Sequence, residues 1–365
     1  MLMKKGSKET LAKAEDYLSE IQSLAVKPFT IMEVCGTHTV AIAKNALREL
    51  LPPSVRLISG PGCPVCVTDS SDIDRYLFLA AQPNVITTTF GDMIRVPGSE
   101  KNLQALRAEG ADIRVVYSTQ DALEIARKNP EKDVVFLGVG FETTAPTVAV
   151  SLEIAKREGL NNYSVLSMHK IVPPVLRLLA EDPELDVDAF LDPGHVCAII
   201  GIKPIEFMAK EFGKPGVVTG FEALDILEGI VMLLRQRAEG RSDIEIQYHR
   251  VAKANGNPHA KMAVERVFRP VDASWRGMGL IPASGLGIRE EFSAWDAERK
   301  FSLPAFHSPD IPGCQCGEVL KGRINPRKCP LYGKRCTPLK PIGPCMVSSE
   351  GSCAAYYRYS QRSGD

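Results

Sequence analysis

The residues of this sequence best suited to chemistry are its ten cysteines, which are unevenly distributed along the chain. A thiolate is a nucleophile, a redox group and a ligand for soft metal ions. In a reducing compartment, metal binding and redox chemistry are commoner uses of cysteine than structural disulfides. The first 200 residues contain Cys35, Cys63, Cys66 and Cys197, whereas Cys314, Cys316, Cys329, Cys336, Cys345 and Cys353 fall within 40 residues near the carboxyl terminus.

Four of the C-terminal cysteines follow the pattern C-x14-C-x6-C-x16-C, namely Cys314, Cys329, Cys336 and Cys353. Four thiolates hold either a [4Fe-4S] cluster or a tetrahedral zinc ion. The paired knuckles of zinc ribbons and the C-x2-C-x2-C run of bacterial ferredoxins are both missing, so the spacing favours an atypical cluster. Positions 314–365 carry nine Lys and Arg against three Asp and Glu. This excess suits the negative charge of a cluster, and it equally suits a solvated surface.

Two cysteines of this segment, Cys316 and Cys345, are left over from that set. A disulfide or dithiol formed by them beside a cluster would relay electrons, and the alternative is a pair of buried free thiols. From residue 304 onward the chain shows little periodicity and much Pro, Gly and Cys. Such a segment cannot build a large apolar core, so we expect a metal centre to hold it.

Two amino-terminal motifs carry the remaining candidate residues. In "GPGCPVC" the pair Cys63 and Cys66 precedes a helix N-cap signal. This favours a redox pair with depressed thiol pKa values over half of a zinc site with Cys35 as a third ligand. In "CGTHT", Cys35 and His38 are three residues apart. That spacing is compatible with a nucleophile and its base, with two ligands of a transition metal, or with an ordinary loop.

The elements that position these residues alternate between apolar runs and helical patterns, which predicts an α/β fold with parallel sheets. Eight strand candidates lie at 29–34, 55–59, 84–90, 113–118, 133–140, 163–169, 188–195 and 216–221. Each of the first four candidates lies 102 to 109 residues before the corresponding member of the last four. We therefore expect two similar domains, 1–120 and 121–240, each with a parallel sheet of about four strands flanked by helices. We expect a cysteine-rich domain, 241–365, to follow, and "PVDASWRGMGLIPASGLGI" within it is turn-rich.

Composition and charge exclude several classes of function. Lys plus Arg and Asp plus Glu are both 44, so no net charge attracts the protein to nucleic acid. No apolar run approaches the roughly 18 residues of a membrane span, and the first 25 residues form an amphipathic helical pattern rather than a signal peptide. The expected location is cytoplasmic. "GVGFETTAP" lacks the Lys-Ser/Thr ending of a P-loop, so nucleotide binding is not predicted.

Taken together, the motifs "EVCGTHT", "SGPGCPVCVT", "TFGDMIRVPGS", "GVGFETTAPT" and "LDPGHV", with the C-terminal cysteine pattern, resemble the HypD family of [NiFe]-hydrogenase maturation proteins. The resemblance extends in order over nearly the whole chain. It implies a [4Fe-4S] cluster in the C-terminal part and a complex with the small protein HypC. On that complex the Fe(CN)2CO unit of the hydrogenase is assembled, with HypE delivering cyanide.

Carried over to this sequence, the resemblance assigns roles to individual residues. Cys35 would hold the iron together with the N-terminal cysteine of HypC, and His38 would orient or support that site. Cys63 and Cys66 match the family's redox-active pair, and Cys197 matches no known role and is interpreted as packing. Cys314, Cys329, Cys336 and Cys353 match the cluster ligands, and Cys316 with Cys345 matches the neighbouring dithiol.

The resemblance therefore implies an assembly scaffold with a redox role rather than a conventional small-molecule enzyme. The arrangement of cluster and dithiol is similar to ferredoxin:thioredoxin reductase, so a thiol–disulfide oxidoreductase is the alternative hypothesis. A zinc-stabilised binding module is a further one. His195 and Glu142 lie in motif loops, where they either shape the cleft or serve structure alone.

Overall fold

The computed structural model describes residues 8–308 and 311–359. Its strands are β1 (Phe29–Glu33), β2 (Val55–Ser59), β3 (Val85–Thr89), β4 (Asp112–Val115), β5 (Asp133–Gly138), β6 (Tyr163–Ser167), β7 (Ala189–Pro193), β8 (Gly216–Thr219), β9 (Ile244–Ile246), β10 (Phe268–Trp275) and β11 (Gly279–Ile288).

Helices connect and cover these strands. They are α1 (Lys8–Leu24), α2 (Gly36–Lys44), α3 (Leu47–Leu50), α4 (Pro64–Val67), α5 (Ser70–Ala80), α6 (Leu103–Ala108), α7 (Thr119–Lys128), α8 (Ala145–Glu158), α9 (Val172–Glu181), α10 (Gly194–Ile200), α11 (Phe207–Phe212), α12 (Ala223–Ala238), α13 (Pro258–Val267), α14 (Ala297–Lys300), α15 (Cys316–Leu320), α16 (Pro344–Val347) and α17 (Ser352–Tyr359). The amphipathic N-terminal helix is confirmed as α1, and the part of that prediction before Lys8 lies outside the described residues.

Within the described ranges the strands form two parallel sheets and one hairpin. The larger sheet has the order β2-β1-β7-β8-β9, and the smaller has the order β4-β3-β5-β6. Neighbouring strands within each of these two sheets are parallel. The predicted α/β class with two small parallel sheets flanked by helices, followed by a cysteine-rich region, is therefore confirmed.

The sheets do not divide the chain in the way that the strand offsets suggest. The larger sheet takes β1 and β2 from the first predicted domain and β7 and β8 from the second, with Met32 of β1 opposite Phe190 of β7. The chain leaves this sheet after β2, forms the smaller sheet from β3 to β6, and returns at β7. The structure therefore differs from the expectation that the first four strands form one sheet and the next four another. Division into folding units at 1–120, 121–240 and 241–365 remains a prediction.

The segment that appears turn-rich in the sequence forms a long antiparallel hairpin, β10 with β11, with a bulge between Val271 and Ala273. Its glycines and small residues conceal the strand pattern. Trp275 is fully buried, and its indole Nε1–H donates to Ser284 Oγ at 2.8 Å. The hairpin also touches the amino-terminal half, because Thr68 forms an antiparallel bridge with Trp275.

One apolar core joins both sheets to the cysteine-rich tail. It contains Met32 of β1, Val135 of β5 and Phe190 of β7, and it also contains the buried cysteines Cys63, Cys66, Cys197, Cys316, Cys336, Cys345 and Cys353. The candidate thiols are therefore packed where the two sheets and the tail meet. No helix within the described residues combines the length and apolar character that crossing a membrane requires.

Candidate functional site

Cys35 lies at the carboxyl end of β1, where it is the N-cap residue of α2 with extended backbone angles. Its side chain is partly buried. Burial and the nearby Glu350 carboxylate raise the pKa of this thiol to about 12, although the backbone amides of His38 and Thr37 act in the opposite direction. Cys35 is therefore a neutral thiol at pH 7, and a metal ion that binds it must displace its proton.

His38 is fully buried on the first turn of α2. Its Nε2 lies 3.0 Å from the carbonyl oxygen of Gly220 and 3.0 Å from Thr219 Oγ1. Because a carbonyl oxygen only accepts hydrogen bonds, the proton of the neutral ring is assigned to Nε2. Burial lowers the pKa of His38 to about 4, so the ring is neutral at pH 7. Its Nδ1 then carries a free lone pair, and it has no hydrogen-bond partner among the described residues.

The cysteine-rich tail reaches this loop through Glu350. Thr37 Oγ1 donates to Glu350 Oε1 at 2.7 Å. A Cβ atom at Gly36 would lie 2.6 Å from the Glu350 Cβ, so only glycine permits this approach. The sequence gives no indication of a role for Glu350, since its partner Thr37 is 313 residues away.

Cys63 and Cys66 bracket the start of the short helix α4, with Cys63 at the N-cap and Pro64 in the first turn. The Cys66 amide donates to Cys63 Sγ at 3.2 Å, and Cys63 Sγ–H donates to Ser348 Oγ of the tail at 3.3 Å. Burial raises the pKa of Cys66 well above its usual range. Cys66 does not have the depressed thiol pKa that was predicted for this pair. A four-residue helix stabilises the thiolate less than burial destabilises it.

The motif loops around Cys35 and Cys63 touch each other directly. The Gly36 amide donates to the Gly62 carbonyl oxygen at 2.9 Å. A Cβ atom at Gly62 would lie 2.2 Å from the Cys35 nitrogen. The two loops that follow β1 and β2 are therefore adjacent at the carboxyl edge of the larger sheet, where ligand sites form in open parallel sheets.

The predicted cluster cysteines line one small cavity in the tail. Cys314 Sγ lies 3.2 Å from Cys316 Sγ, and a Cβ atom at Gly343 would meet both sulfurs, at 2.7 Å and 2.6 Å respectively. Glycine at position 343 thus leaves the space in front of these thiols open. The lining of the cavity includes Cys314, Cys316, Cys329, Leu331, Tyr332, Cys336, Gly343, Met346 and Cys353.

The composition of this donor set fits a [4Fe-4S] cluster. A [4Fe-4S] cluster binds four cysteine thiolates, each at a different iron, so it requires four thiols around one cavity. The four predicted ligands meet that requirement.

Cys345 is fully buried between this cavity and the amino-terminal pair. Cys316 is the main cause that raises the pKa of the Cys345 thiol, and Cys353 and Cys66 also interact with it. Cys66 is therefore next to Cys345, and Cys345 is next to Cys316. The structure thus places three predicted thiol sets next to one another: the Cys63/Cys66 pair, the Cys316/Cys345 pair and the four proposed cluster ligands. All ten cysteines are free thiols.

Two buried carboxyl groups, those of Glu142 and Asp192, lie near the Cys197 thiol. Burial raises the pKa of Glu142 to about 7; its Oε1 accepts the Val172 amide at 2.8 Å and its Oε2 has no partner within the described chain. Burial raises the pKa of Asp192, in β7, to about 8, and neither of its oxygens has a partner in the described ranges. Burial raises the pKa of the Cys197 thiol well above its usual range, and Asp192 and Glu142 act in the same direction. Asp192 was not predicted as a site residue, although it lies in the "LDPGHV" motif.

His195 stands beside His38 in an aromatic group. The Phe221 ring is 4.8 Å from the His38 ring and 4.3 Å from the His195 ring, and Tyr248 packs edge-on against Phe221. Burial lowers the pKa of His195. This group forms an apolar wall on the His38 side of the site.

Fold and site together define a cysteine-rich α/β protein in which thiols from three segments converge. A family model described as HypD, "Hydrogenase formation hypA family", matches residues 12–360. The "Hydrogenase maturation factor HypD" of Rhodobacter capsulatus is 47% identical over 97% of this chain and 95% of its own length. The HypD of Escherichia coli (strain K12) is 46% identical over 95% of this chain and 93% of its own length. The "Hydrogenase maturation factor HypD2" of Bradyrhizobium diazoefficiens is 45% identical over 92% of this chain and 90% of its own length. The chain belongs to the HypD family of hydrogenase maturation factors.

Proposed function

We propose that this protein is the scaffold on which the Fe(CN)2CO unit of a [NiFe]-hydrogenase is assembled, in complex with a HypC-type partner. The observation that carries the proposal is the convergence of the Cys35 loop, the Cys63–Cys66 helix and the tail. Hydrogen bonds from Thr37 to Glu350 and from Cys63 to Ser348 join the three segments. A HypE-type partner would deliver the cyanide.

Cys35 is the proposed protein ligand of the cargo iron. Iron that carries CO and cyanide prefers soft thiolate ligands. Cys35 is only partly buried, so an iron that a partner's cysteine also binds can reach this residue. A site shared between two proteins can release the iron when the partner leaves. The buried Nδ1 lone pair of His38 orients or supports this site.

Cys314, Cys329, Cys336 and Cys353 are the proposed ligands of a [4Fe-4S] cluster, which supplies single electrons when it is bound. The chain contributes the cavity, the open space at Gly343 and the amides of Ile342 and Gly343, which favour the thiolate of Cys336. Cys316 lines the same cavity and Cys345 lies directly behind it, so these two thiols form the proposed neighbouring dithiol.

The contact between Cys345 and Cys66 supports electron transfer from the tail to the amino-terminal pair by thiol–disulfide exchange. In that exchange the dithiol Cys316/Cys345 becomes a disulfide, and a Cys63–Cys66 disulfide becomes two thiols. Two electrons and two protons pass between the pairs, so the exchange is balanced. The Cys63/Cys66 pair then holds reducing equivalents one loop away from Cys35.

The burial of these thiols argues against the alternative, a thiol–disulfide oxidoreductase that acts on other proteins. Such an enzyme needs an exposed attacking thiolate. Cys66 and Cys345 are fully buried, and Cys63 is 4% exposed. An internal relay requires no such exposure. Reduction of a disulfide substrate in the absence of any hydrogenase or partner would support the oxidoreductase instead.

The central test is iron and acid-labile sulfide per chain in protein purified without oxygen, combined with infrared spectra after co-expression with a HypC-type partner. We expect four irons and four sulfides per chain for one [4Fe-4S] cluster, and CO and CN stretching bands on the complex. A Cys35→Ala variant should keep the cluster and lose the bands. Bands that persist in Cys35→Ala would contradict the role of Cys35.

The relay is tested separately by the double variant Cys63→Ala, Cys66→Ala. We expect cluster content to be unchanged and hydrogenase maturation in cells to be lost. Cys197→Ala is the matched control, because Cys197 is an equally buried cysteine that belongs to neither thiol pair and is not a proposed cluster ligand. A normal maturation rate in the double variant would rule out the relay.

A further inference from the structure

Arg276 is a buried guanidinium at the end of hairpin strand β10, and its side chain belongs to none of the sites described above. It is 3% exposed. Its Nε donates to the Thr68 carbonyl oxygen at 3.0 Å, and its Nη1 donates to Ser70 Oγ at 2.8 Å. Its backbone amide donates to the Val67 carbonyl oxygen at 2.9 Å. The residue is thus held firmly against the end of α4.

The charge of Arg276 has no carboxylate beside it. Both acceptors are uncharged, its Nη2 has no hydrogen-bond partner, and no Asp or Glu of the described ranges forms an ion pair with it. The buried Lys170, in contrast, pairs with Asp72 at 2.9 Å. A buried cation without a counter-charge is strongly destabilising. The fold keeps Arg276 in this position, so a negative charge from another source is to be expected nearby.

The nearest candidate source is the cysteine cavity. A Cβ atom at Gly277 would lie 2.2 Å from the Gly317 Cα, so the hairpin turn abuts the first residues of α15, where Cys316 lies. Cys316 and burial raise the pKa of the Cys314 thiol, and the Arg276 charge acts on that thiol in the opposite direction. The Arg276 guanidinium is therefore held where α4 passes into α5, and the next residue, Gly277, packs against α15 beside the cavity.

We propose that Arg276 is the built-in counter-charge of the cluster site, holding the reduction potential of the cluster above the value that its thiolates alone would set. This inference rests on the proposed function, since it requires a cluster bound by Cys314, Cys329, Cys336 and Cys353. A four-thiolate [4Fe-4S] cluster is anionic, and reduction adds one more negative charge. A nearby buried cation stabilises the reduced form more than the oxidised form. Arg276 is a positioning residue that acts through charge and binds no iron itself.

The test is a redox titration of the anaerobically purified, cluster-loaded full chain, followed by visible absorbance and electron paramagnetic resonance. In Arg276→Gln we expect the ratio of reduced to oxidised cluster at a fixed potential to fall at least about tenfold, which for a one-electron couple is about 59 mV. Arg276→Lys keeps the charge and should remain near the wild-type potential. Arg323→Gln is the matched control, because that arginine is already paired with Asp182 and Glu184.

A second variant neutralises the charge without removing the arginine. Ser70→Asp places a carboxylate on the Nη1 partner of Arg276, at the start of α5, where an acidic residue favours the helix. We expect its potential to shift in the same direction as that of Arg276→Gln. If Arg276→Gln fails to fold, Ser70→Asp decides the question.

The outcomes separate the two proposals. Wild-type protein without iron and sulfide would overturn the cluster, and with it the proposed function. A loaded wild type whose potential equals that of Arg276→Gln or Ser70→Asp would overturn the role of Arg276 alone. An Arg276→Lys potential that shifts as far as that of Arg276→Gln would also overturn it, since charge would then not be the cause.

Discussion

Cys35 combines two properties that a temporary iron ligand needs. Its sulfur faces the first amides of α2, which favour the thiolate, yet burial and Glu350 keep it protonated near neutral pH. Iron binding must therefore release a proton, so the affinity for iron should rise with pH. Glu350 belongs to the cysteine-rich tail, and the protonation state of Cys35, the proposed iron ligand, thus depends on the packing of the tail against this loop.

Replacing Glu350 by Gln should lower the pKa of Cys35, because the charge is removed while the amide oxygen still accepts from Thr37. At pH 8 the thiolate fraction, and with it the alkylation rate, should rise about three- to tenfold. The rate is measured by mass spectrometry of the peptide that contains Cys35. Glu49→Gln, at an exposed position of α3, is the control. An unchanged rate in Glu350→Gln would show that the carboxylate does not act on the thiol.

Asp192 gives the stability of the protein a specific pH dependence. Burial raises its pKa in the folded protein from 3.8 to about 8. Because the folded state favours the protonated form, this contribution to stability is complete below pH 3.8 and is lost as pH rises through about 8. Between these limits Asp192 should reduce the free energy of unfolding by about 1.4 kcal/mol per pH unit.

Asp192→Asn should therefore show a smaller decrease in urea midpoint from pH 5 to pH 8 than the wild type. Glu33 and Glu142, whose pKa values are raised to about 7 mainly by burial, account for a remaining decrease. Asp186→Asn, at an exposed position, should follow the wild type. Parallel pH profiles for Asp192→Asn and the wild type would mean that the Asp192 carboxyl is hydrated.

At the level of single elements, the loop before α16 decides whether the tail can hold a cluster. Gly343→Ala would place a methyl group within 2.7 Å of Cys314 Sγ and Cys316 Sγ. We expect this variant to lose most of its iron and labile sulfide while retaining its far-ultraviolet circular dichroism. Gly91→Ala is the control, since its Cβ would meet only Val115 Cγ1 at 3.6 Å, an ordinary contact. Full cluster loading of Gly343→Ala would refute the proposed cavity.

The strands were predictable because their residues form short apolar runs. The run 55–59 coincides with β2, and every residue of β1 and β3 is buried. The grouping into sheets was not predictable from spacing. A regular offset of strands says nothing about which strands pair, and the pairing of β1 with β7 joins residues about 158 positions apart. The hairpin of β10 and β11 was missed because Gly, Ala and Pro weaken the strand pattern.

Residue types and spacing indicated which cysteines belong together, and the chemistry assigned to them stays a prediction. The polar surroundings of these cysteines were not predictable. The spacing of the cysteines separated the Cys63/Cys66 pair, the four proposed cluster ligands and the remaining Cys316/Cys345 pair. Glu350, Ser348 and Arg276 act through contacts with residues more than 200 positions away. A single Glu, Ser or Arg in a loop has no distinctive pattern, so only the folded chain identifies these residues.

In the whole molecule, the tail joins the two loops at the carboxyl edge of the larger sheet. Ser348 and Glu350 contact the Cys63 and Cys35 loops, and Arg48 of α3 lies over the Tyr356 ring at 4.9 Å. The helices α15, α16 and α17 have five, four and eight residues. Helices this short are unstable by themselves. The stability of the tail must therefore come from packing and from whatever its thiols bind.

Removing iron from the loaded protein with a chelator and an oxidant should consequently loosen the tail first. Metal binding to a site that is absent from the unfolded chain contributes directly to folding. We expect trypsin to cut within residues 311–359 at least about tenfold faster in the stripped protein, while fragments that contain β1 to β8 persist. The cut sites are identified by mass spectrometry. Equal cleavage rates before and after removal, or first cuts between β3 and β8, would show that the tail is held by packing alone.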